Sequence, residues 1–377
     1  MAAAAPVRPL ALAAALGLAG ALAYVAVTHG PGASPLDAIP AGSFVVATVD
    51  VAALRASPLY GAVFEKDRTW GLGDLALACG FDPLSRIDEL DVAIPEGGDV
   101  GDFGVAASAD LTKDELVRCA ENVAGARGET RKAEEIGRFH FIADDKGHAL
   151  AVRDTGKPIV VGRAAFVRAM IDAAEGHAPS ARASREHMEL RSALASGANG
   201  RSLAVATAIL PQELRDRLKR EMGAELGLTG SNAAMGGVLG VRGVGVAVRE
   251  TDDGMLEAKA ELRCDSAAAC EEVRKLALAK RLAFSQELGL RLVGLGPAID
   301  AFDAKVDGDH LTASTRARAS DLAATLERVQ KLKGGRASAP APPSPTAPAP
   351  LPPRPVLRPD EVLPARDAGP RDSSRGP

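Results

Sequence analysis

Three pairs of similar segments recur in the same order along this chain, roughly 150 residues apart, and nothing else in it constrains the fold as strongly. Phe44–Arg55 (FVVATVDVAALR) aligns with Leu203–Arg215 (LAVATAILPQELR) after one inserted residue. Phe103–Thr112 (FGVAASADLT) aligns with Met255–Cys264 (MLEAKAELRC), and Lys157–Ala174 aligns with His310–Val329. One such match would be chance, whereas three in register read as one unit used twice. The first repeat is expected over residues 42–178, the second over 201–333, with a connector at 179–200 that holds a short helix at about Ser184–Ala195.

Within each repeat the first and third matches read as a strand running into a helix. Thr112 with Glu115 three residues on is a capping box for a helix from about Lys113, and Asp265 or Ser266 caps one from about Ala267. Turn residues at Glu96-Gly97-Gly98, Asp144–Gly147, Asp253-Gly254 and Asp307-Gly308 separate strand-like runs and point to hairpins. The fold class is therefore α+β, as two tandem repeats of a mainly antiparallel sheet with helices on one face. In the first strand Val45, Ala47, Val49 and Val51 would meet that helical layer, with Thr48 and Asp50 on the other side.

The two ends differ from the middle. Leu10–Val27 is eighteen residues without a charge, enough for a helix of about 27 Å, so residues 1–28 read as a signal anchor or transmembrane helix and 29–41 as a linker. Cleavage after Ala21-Leu22-Ala23, as in a secretory signal peptide, is the competing reading. Arg8 precedes the run and no Lys or Arg follows it until Arg55, which places the bulk of the chain outside the cytoplasm. The expected location is the inner membrane, single-pass with the bulk in the periplasm, or the periplasm after cleavage. At the other end thirteen of the 25 prolines fall between Pro340 and Pro377, so residues 334–377 read as a disordered, proline-rich tail that could serve as spacer or ligand.

A net charge of -4 and 3% aromatic residues leave little for phosphates or stacked bases, so no nucleic-acid partner is expected. In an oxidising compartment the four cysteines are considered for disulfides before metals, two per repeat: Cys79 with Cys119 and Cys264 with Cys270. A buried free thiol is the alternative for Cys119, which shares a helical stripe with Leu116, Ala120 and Val123. The six histidines stand in no metal-binding motif, and hydrolase and phosphate-loop signatures are absent. Gly236–Gly245 is glycine-rich, yet it runs into a strand rather than opening a helix, so it is expected to be a loop and a glycine-tolerant strand. The carboxylates at Asp144-Asp145, Asp252-Asp253 and Asp307–Asp309 sit where turns are expected and read as turn formers. No catalytic residue, cofactor or metal ligand is expected.

The stretch from Ile39 to Pro58 (IPAGSFVVATVDVAALRASP), with Cys79-Gly-Phe-Asp-Pro83 leading to Ile87–Ala93, resembles exported, membrane-anchored bacterial proteins of unknown function from high-GC lineages such as the myxobacteria. The resemblance spans residues 39–95 and implies an anchored, exported domain without supplying catalytic residues. The function expected is a non-enzymatic envelope protein that binds a protein partner or acts as a scaffold. The alternatives are a periplasmic carrier of a hydrophobic ligand and an envelope hydrolase with a site between the repeats.

Overall fold

Val45, Val46 and Ala47 are all buried, and a strand buried on consecutive positions has to lie inside a sheet that is covered on both faces. In the computed structural model, which describes residues 26–27, 34–61, 72–97, 102–196, 199–225, 237–292 and 294–337, this is what Ser43–Asp50 does. After a two-residue strand β1 (Ala26–Val27), the first part of the chain holds β2 (Ser43–Asp50), α1 (Val51–Arg55), α2 (Leu72–Cys79), β3 (Ile87–Pro95), β4 (Gly104–Ala109) and α3 (Lys113–Arg127). It continues with β5 (Arg131–Ile136), β6 (Phe139–Asp144), β7 (His148–Arg153), β8 (Ile159–Arg163) and α4 (Ala164–Glu175). Helix α5 (Arg185–Ala195) leads to β9 (Arg201–Ile209), α6 (Gln212–Glu225), β10 (Val241–Glu250) and β11 (Met255–Cys264). The chain then forms α7 (Ala267–Gln286), α8 (Leu288–Leu292), α9 (Gly296–Asp300), β12 (Asp303–Asp307), β13 (His310–Arg318) and α10 (Ala319–Ala337).

The strands join in one antiparallel sheet of order β12-β13-β11-β10-β9-β2-β3-β4-β8-β7-β6-β5, with β1 against β3. At its centre β2 and β9 pair, Val45 opposite Ala208 and Thr48 opposite Val205. The described residues up to Leu332 belong to one compact unit.

Register sorts the side chains. Thr48 faces Asp91 and Asp91 faces Ala106, while Val49 faces Leu90 and Leu90 faces Ala107. On the Thr48 side, Val167, Met170 and Ile171 of α4 pack on Val46, Ala93 and Ala106. On the Leu90 side, Leu116 of α3 packs on Leu90, Ala107 and Val152. Helices therefore cover both faces, which corrects the one-sided layer expected from the sequence. Val45, Ala47 and Val49 do share a face, but Thr48 on the other side lies beneath α5 instead of facing away from all helices.

Other boundaries follow their signals. Thr112 and Glu115 form the capping box of α3, and Ser266 accepts from the Ala269 amide to cap α7. Strand β5 was not anticipated: Arg-Lys-Ala-Glu-Glu-Ile shows no alternation, because it is an exposed edge where side chains need not be apolar. Helix α10 carries on through Gly334 and Gly335 to Ala337, four residues into the expected tail. The remainder of that tail lies outside the described residues, as does the apolar run Leu10–Val27 apart from Ala26–Val27, which are extended in β1. Among the described residues no helix is long and apolar enough to cross a membrane.

The glycine-rich segment has a packing role. A Cβ on Gly245 would sit 2.9 Å from Cδ1 of Leu194, and one on Gly243 3.3 Å from Cδ1 of Leu190, so these glycines let α5 settle onto β10. Both leucines are fully buried. Chemical denaturation of Gly245→Val should show a loss of about 1–3 kcal/mol from overpacking, and Leu194→Ala a loss of about 2–5 kcal/mol from the cavity. A Gly245→Val protein as stable as the parent would mean that the close approach of α5 does not matter.

Candidate functional site

The cysteines pair as 79 with 119 and 264 with 270, at Cα separations of 4.2 and 5.6 Å. The first bridge ties α2 to α3, and the second closes the end of β11 onto the first turn of α7, where both sulfurs are buried. His140 meets Glu135, His148 meets Asp144, and His310 lies against Glu261, all on strands or their turns. His29 lies outside the described residues. Among the described residues no group of three or more His, Cys, Asp or Glu could hold a metal ion. Asp144 accepts from the amides of Lys146 and His148, and Asp253 from the Thr251 hydroxyl and the Met255 amide, which is the turn chemistry their positions implied.

Two places remain where side chains converge. The first is a polar seam beneath α5, over the junction of β2 with β9. His187 donates from Nε2 to the Ser43 carbonyl at 2.9 Å, which leaves Nδ1 to accept from the Thr207 hydroxyl at 2.7 Å. Burial holds this imidazole below its usual value, hence neutral. Four residues along the helix, Arg191 donates from Nη2 to the Thr48 hydroxyl at 3.0 Å, and Thr48 donates to Oδ1 of Asp91. Asp91 is fully buried and its Oδ2 has no hydrogen-bond partner among the described residues. Burial pushes its carboxyl up to about 7, against the opposing pull of Arg191 and the Thr48 hydroxyl. Burial likewise lowers the Arg191 guanidinium.

A polar cleft of about 310 Å³ opens at the end of this seam, lined by Glu96, Glu186, His187, Arg215 and Arg242 among others. Its basic groups are committed. Arg215 grips both oxygens of Asp265 at 2.8 Å, and Arg242 reaches the Cys264 carbonyl at 3.0 Å and Asp309 at 2.8 Å. With both nitrogens of His187 occupied, the cleft presents no imidazole ready to accept a proton.

The second place is a groove of about 420 Å³ between α7, α9 and β13. Ala277 and Phe284 of α7, Leu295, Ala298 and Ile299 around α9, and Phe302 make its walls, with Lys280 and Arg281 among its lining residues. Arg281 fixes the wall: its guanidinium donates to the Ile299 carbonyl at 3.2 Å and the Asp300 carbonyl at 2.8 Å, at the C-terminal end of α9. Thr315 donates to the Ala298 carbonyl from the sheet below. Phe284 is 49% exposed, and the neighbouring Leu282, Leu288 and Leu292 are 63%, 74% and 78% exposed. Its volume falls within the ~300–1,000 Å³ range of small-molecule pockets, and its walls are mostly apolar with a few fixed polar groups.

Sequence reasoning located α7 from its cap but not the groove. The available signal was an excess of apolar residues: Leu278 faces the core with Val273, which leaves Leu282 and Phe284 with no core to enter.

No family model matches the chain, and no curated protein matches it. A solved structure described as crystal form I of TP0453 is similar over 79% of this chain and 98% of that chain, at 10% identity and a TM-score of 0.41.

The seam makes a pH prediction. Because burial raises the Asp91 carboxyl from an ordinary 3.8 in the unfolded chain to about 7 in the folded one, it holds a proton in the native state between those values, and stability falls as pH rises through that window. His187 acts in the opposite sense, since its lowered value takes stability away as pH falls below 6.5. Comparing the parent with Asp91→Asn isolates the first contribution: the parent should lose stability relative to the variant between pH 4 and pH 7 in urea titrations. Parallel pH profiles for the two proteins would show that Asp91 is ionised throughout.

Proposed function

We propose that this chain is an exported, non-enzymatic binding module, held at the inner membrane by the part of the apolar run that begins at Leu10 and precedes β1, or released into the periplasm by cleavage, whose groove takes an apolar guest. The groove between α7 and α9 carries this reading, because its walls offer an alkyl chain a dry contact while Lys280 and Arg281 offer cations to a polar end. Export is supported by the two disulfides, which persist in an oxidising compartment. A non-enzymatic role is supported at the seam, where His187 and Arg191 spend their hydrogen bonds on β2 and β9.

Two finer readings belong to the same proposal. One is that a single unit was duplicated: β2-β3-β4-β8-β7 and β9-β10-β11-β13-β12 run outward from the centre in the same sequence of connections. The other is kinship with the exported proteins that residues 39–95 resemble. The partner or scaffold reading has less behind it: on the face opposite α7 Glu261 is buried and Lys259 and Arg263 are held by Ala193 and Glu189 of α5, which leaves Glu257, paired with Arg316.

Titration with a dansylated undecanoic acid tests the apolar-guest reading. The protein should give a saturable, blue-shifted fluorescence rise, and Ala298→Trp or Ala277→Trp, which fill the groove, should each weaken binding by about tenfold or more with the unfolding transition retained. Equal affinity in both variants would place the guest elsewhere, and no saturable signal in the parent would end the carrier reading.

A further inference from the structure

We propose that the end of α7 together with α8 is a bilayer-docking surface, seated on anionic lipid, with the groove opening directly onto it. Four large apolar side chains lie in one short stretch of chain, and Leu282, Leu288 and Leu292 are each more than three-fifths exposed. Helix α7 ends where Glu287 turns extended, and α8 then presents Leu288 and Leu292 one helical turn apart, on a single face. No residue of α8 is buried. An aqueous surface gains nothing from such a ridge, whereas the boundary between headgroups and acyl chains is where leucines of this kind become covered.

Charge and continuity select a bilayer as the occupant. Lys280, Arg281 and Arg291 lie in the same stretch of chain, with Glu287 between them; Arg291 pairs with Asp300 at 2.9 Å, while the hydrogen bonds of Arg281 go to carbonyls and its charge also reaches Asp303. Cations interspersed with leucine and phenylalanine suit an anionic surface. Five residues cannot span a membrane, so α8 would lie along it. Phe284 belongs to both places, being a wall of the groove and half exposed at the ridge. An amphiphile could therefore pass from the bilayer into the groove beside Lys280 without entering water. In the sequence, the part of the apolar run that begins at Leu10 and precedes β1 would keep the whole chain next to such a surface.

The passage of a guest rests on the apolar-guest reading of the groove; the docking does not, and the test separates them. Trp70, the one tryptophan of the chain, is replaced by Phe in the full-length protein. A new tryptophan is placed by Leu288→Trp, Leu292→Trp or, as control, Lys305→Trp on the β12 edge, where the side chain is 82% exposed. Each protein is reconstituted into vesicles of phosphatidylcholine and phosphatidylglycerol with brominated acyl chains. Docking predicts fluorescence about twofold lower for positions 288 and 292 than in unbrominated vesicles, little change at 305, and weaker quenching when phosphatidylglycerol is omitted. Equal quenching at all three positions overturns the proposal. So does a pair Leu288→Ser and Leu292→Ser that turns a dimer into a monomer by light scattering, since a second copy would then own the ridge. If docking fails while the dansyl probe still binds, only the membrane assignment falls; if quenching persists without probe binding, only the guest reading falls.

Discussion

The ladder between β2 and β9 is the interaction on which the rest of the structure depends. Val45–Val49 pair with Ala204–Ala208, and each of these strands then carries its own neighbours outward, β3 and β4 on one side and β10 and β11 on the other. Small residues line this junction: Ala47 opposes Ala206, and Val45 opposes Ala208. A strand whose partner is a distant part of the chain pairs late and at an entropic cost that grows with the intervening loop. Something has to fix the register, since a slip of one residue would exchange Thr48 and Thr207 with the apolar residues of the opposite face.

Helix α5 supplies that restraint. It lies over the ladder, and its polar side chains read both strands at once: His187 contacts Ser43 of β2 and Thr207 of β9, and Arg191 reaches Thr48. Its apolar side chains enter the space left by Gly243 and Gly245 of β10. The buried Asp91 and the half-buried Arg191 are costly, because each retains an atom without a hydrogen-bond partner among the described residues. What they add is selectivity of register, since Thr48 bridges them only when β2 and β3 align as observed. This accounts for polar groups at the seam without assigning them chemistry.

Much of this was legible from the residues. Hairpin turns, the Thr112 capping box, the start of α7 and the connector helix follow from local chemistry, where a turn or cap needs a particular residue at a particular offset, while the cysteine pairs follow from two cysteines falling in each expected repeat. What could not be read depends on contacts between distant segments. That helices cover both faces is visible only once Val46 is seen under α4 and Leu90 under α3. The polar edge strand β5 gives no alternating signal, and the glycines of β10 looked like a tolerated irregularity until α5 was seen packed on them. The groove likewise arises from α7, α9 and β13 meeting, with residues drawn from nearly forty positions of chain.

The same packing explains why the groove is at the far end of the sheet and not at the seam. Near the centre, helices on both sides of β2 fill the available volume with valine, alanine and methionine. Beyond β10 the face under α5 turns charged, with Lys259 and Arg263 answering the Ala193 carbonyl and Glu189, so a core can grow there only on the α7 side. That side has one long helix and two short ones over β11, β12 and β13. The disulfide between Cys264 and Cys270 pins the start of α7 to the sheet, and Leu278 reaches the core, but the helix runs on to Gln286. Its far half therefore stands beside α9 with apolar walls between them, where β12 pairs with β13 only as far as Ser314, and Phe284 and Leu282 are exposed there. A cavity placed by the edge of a sheet is open on one side by construction, and what fills it must arrive from that side.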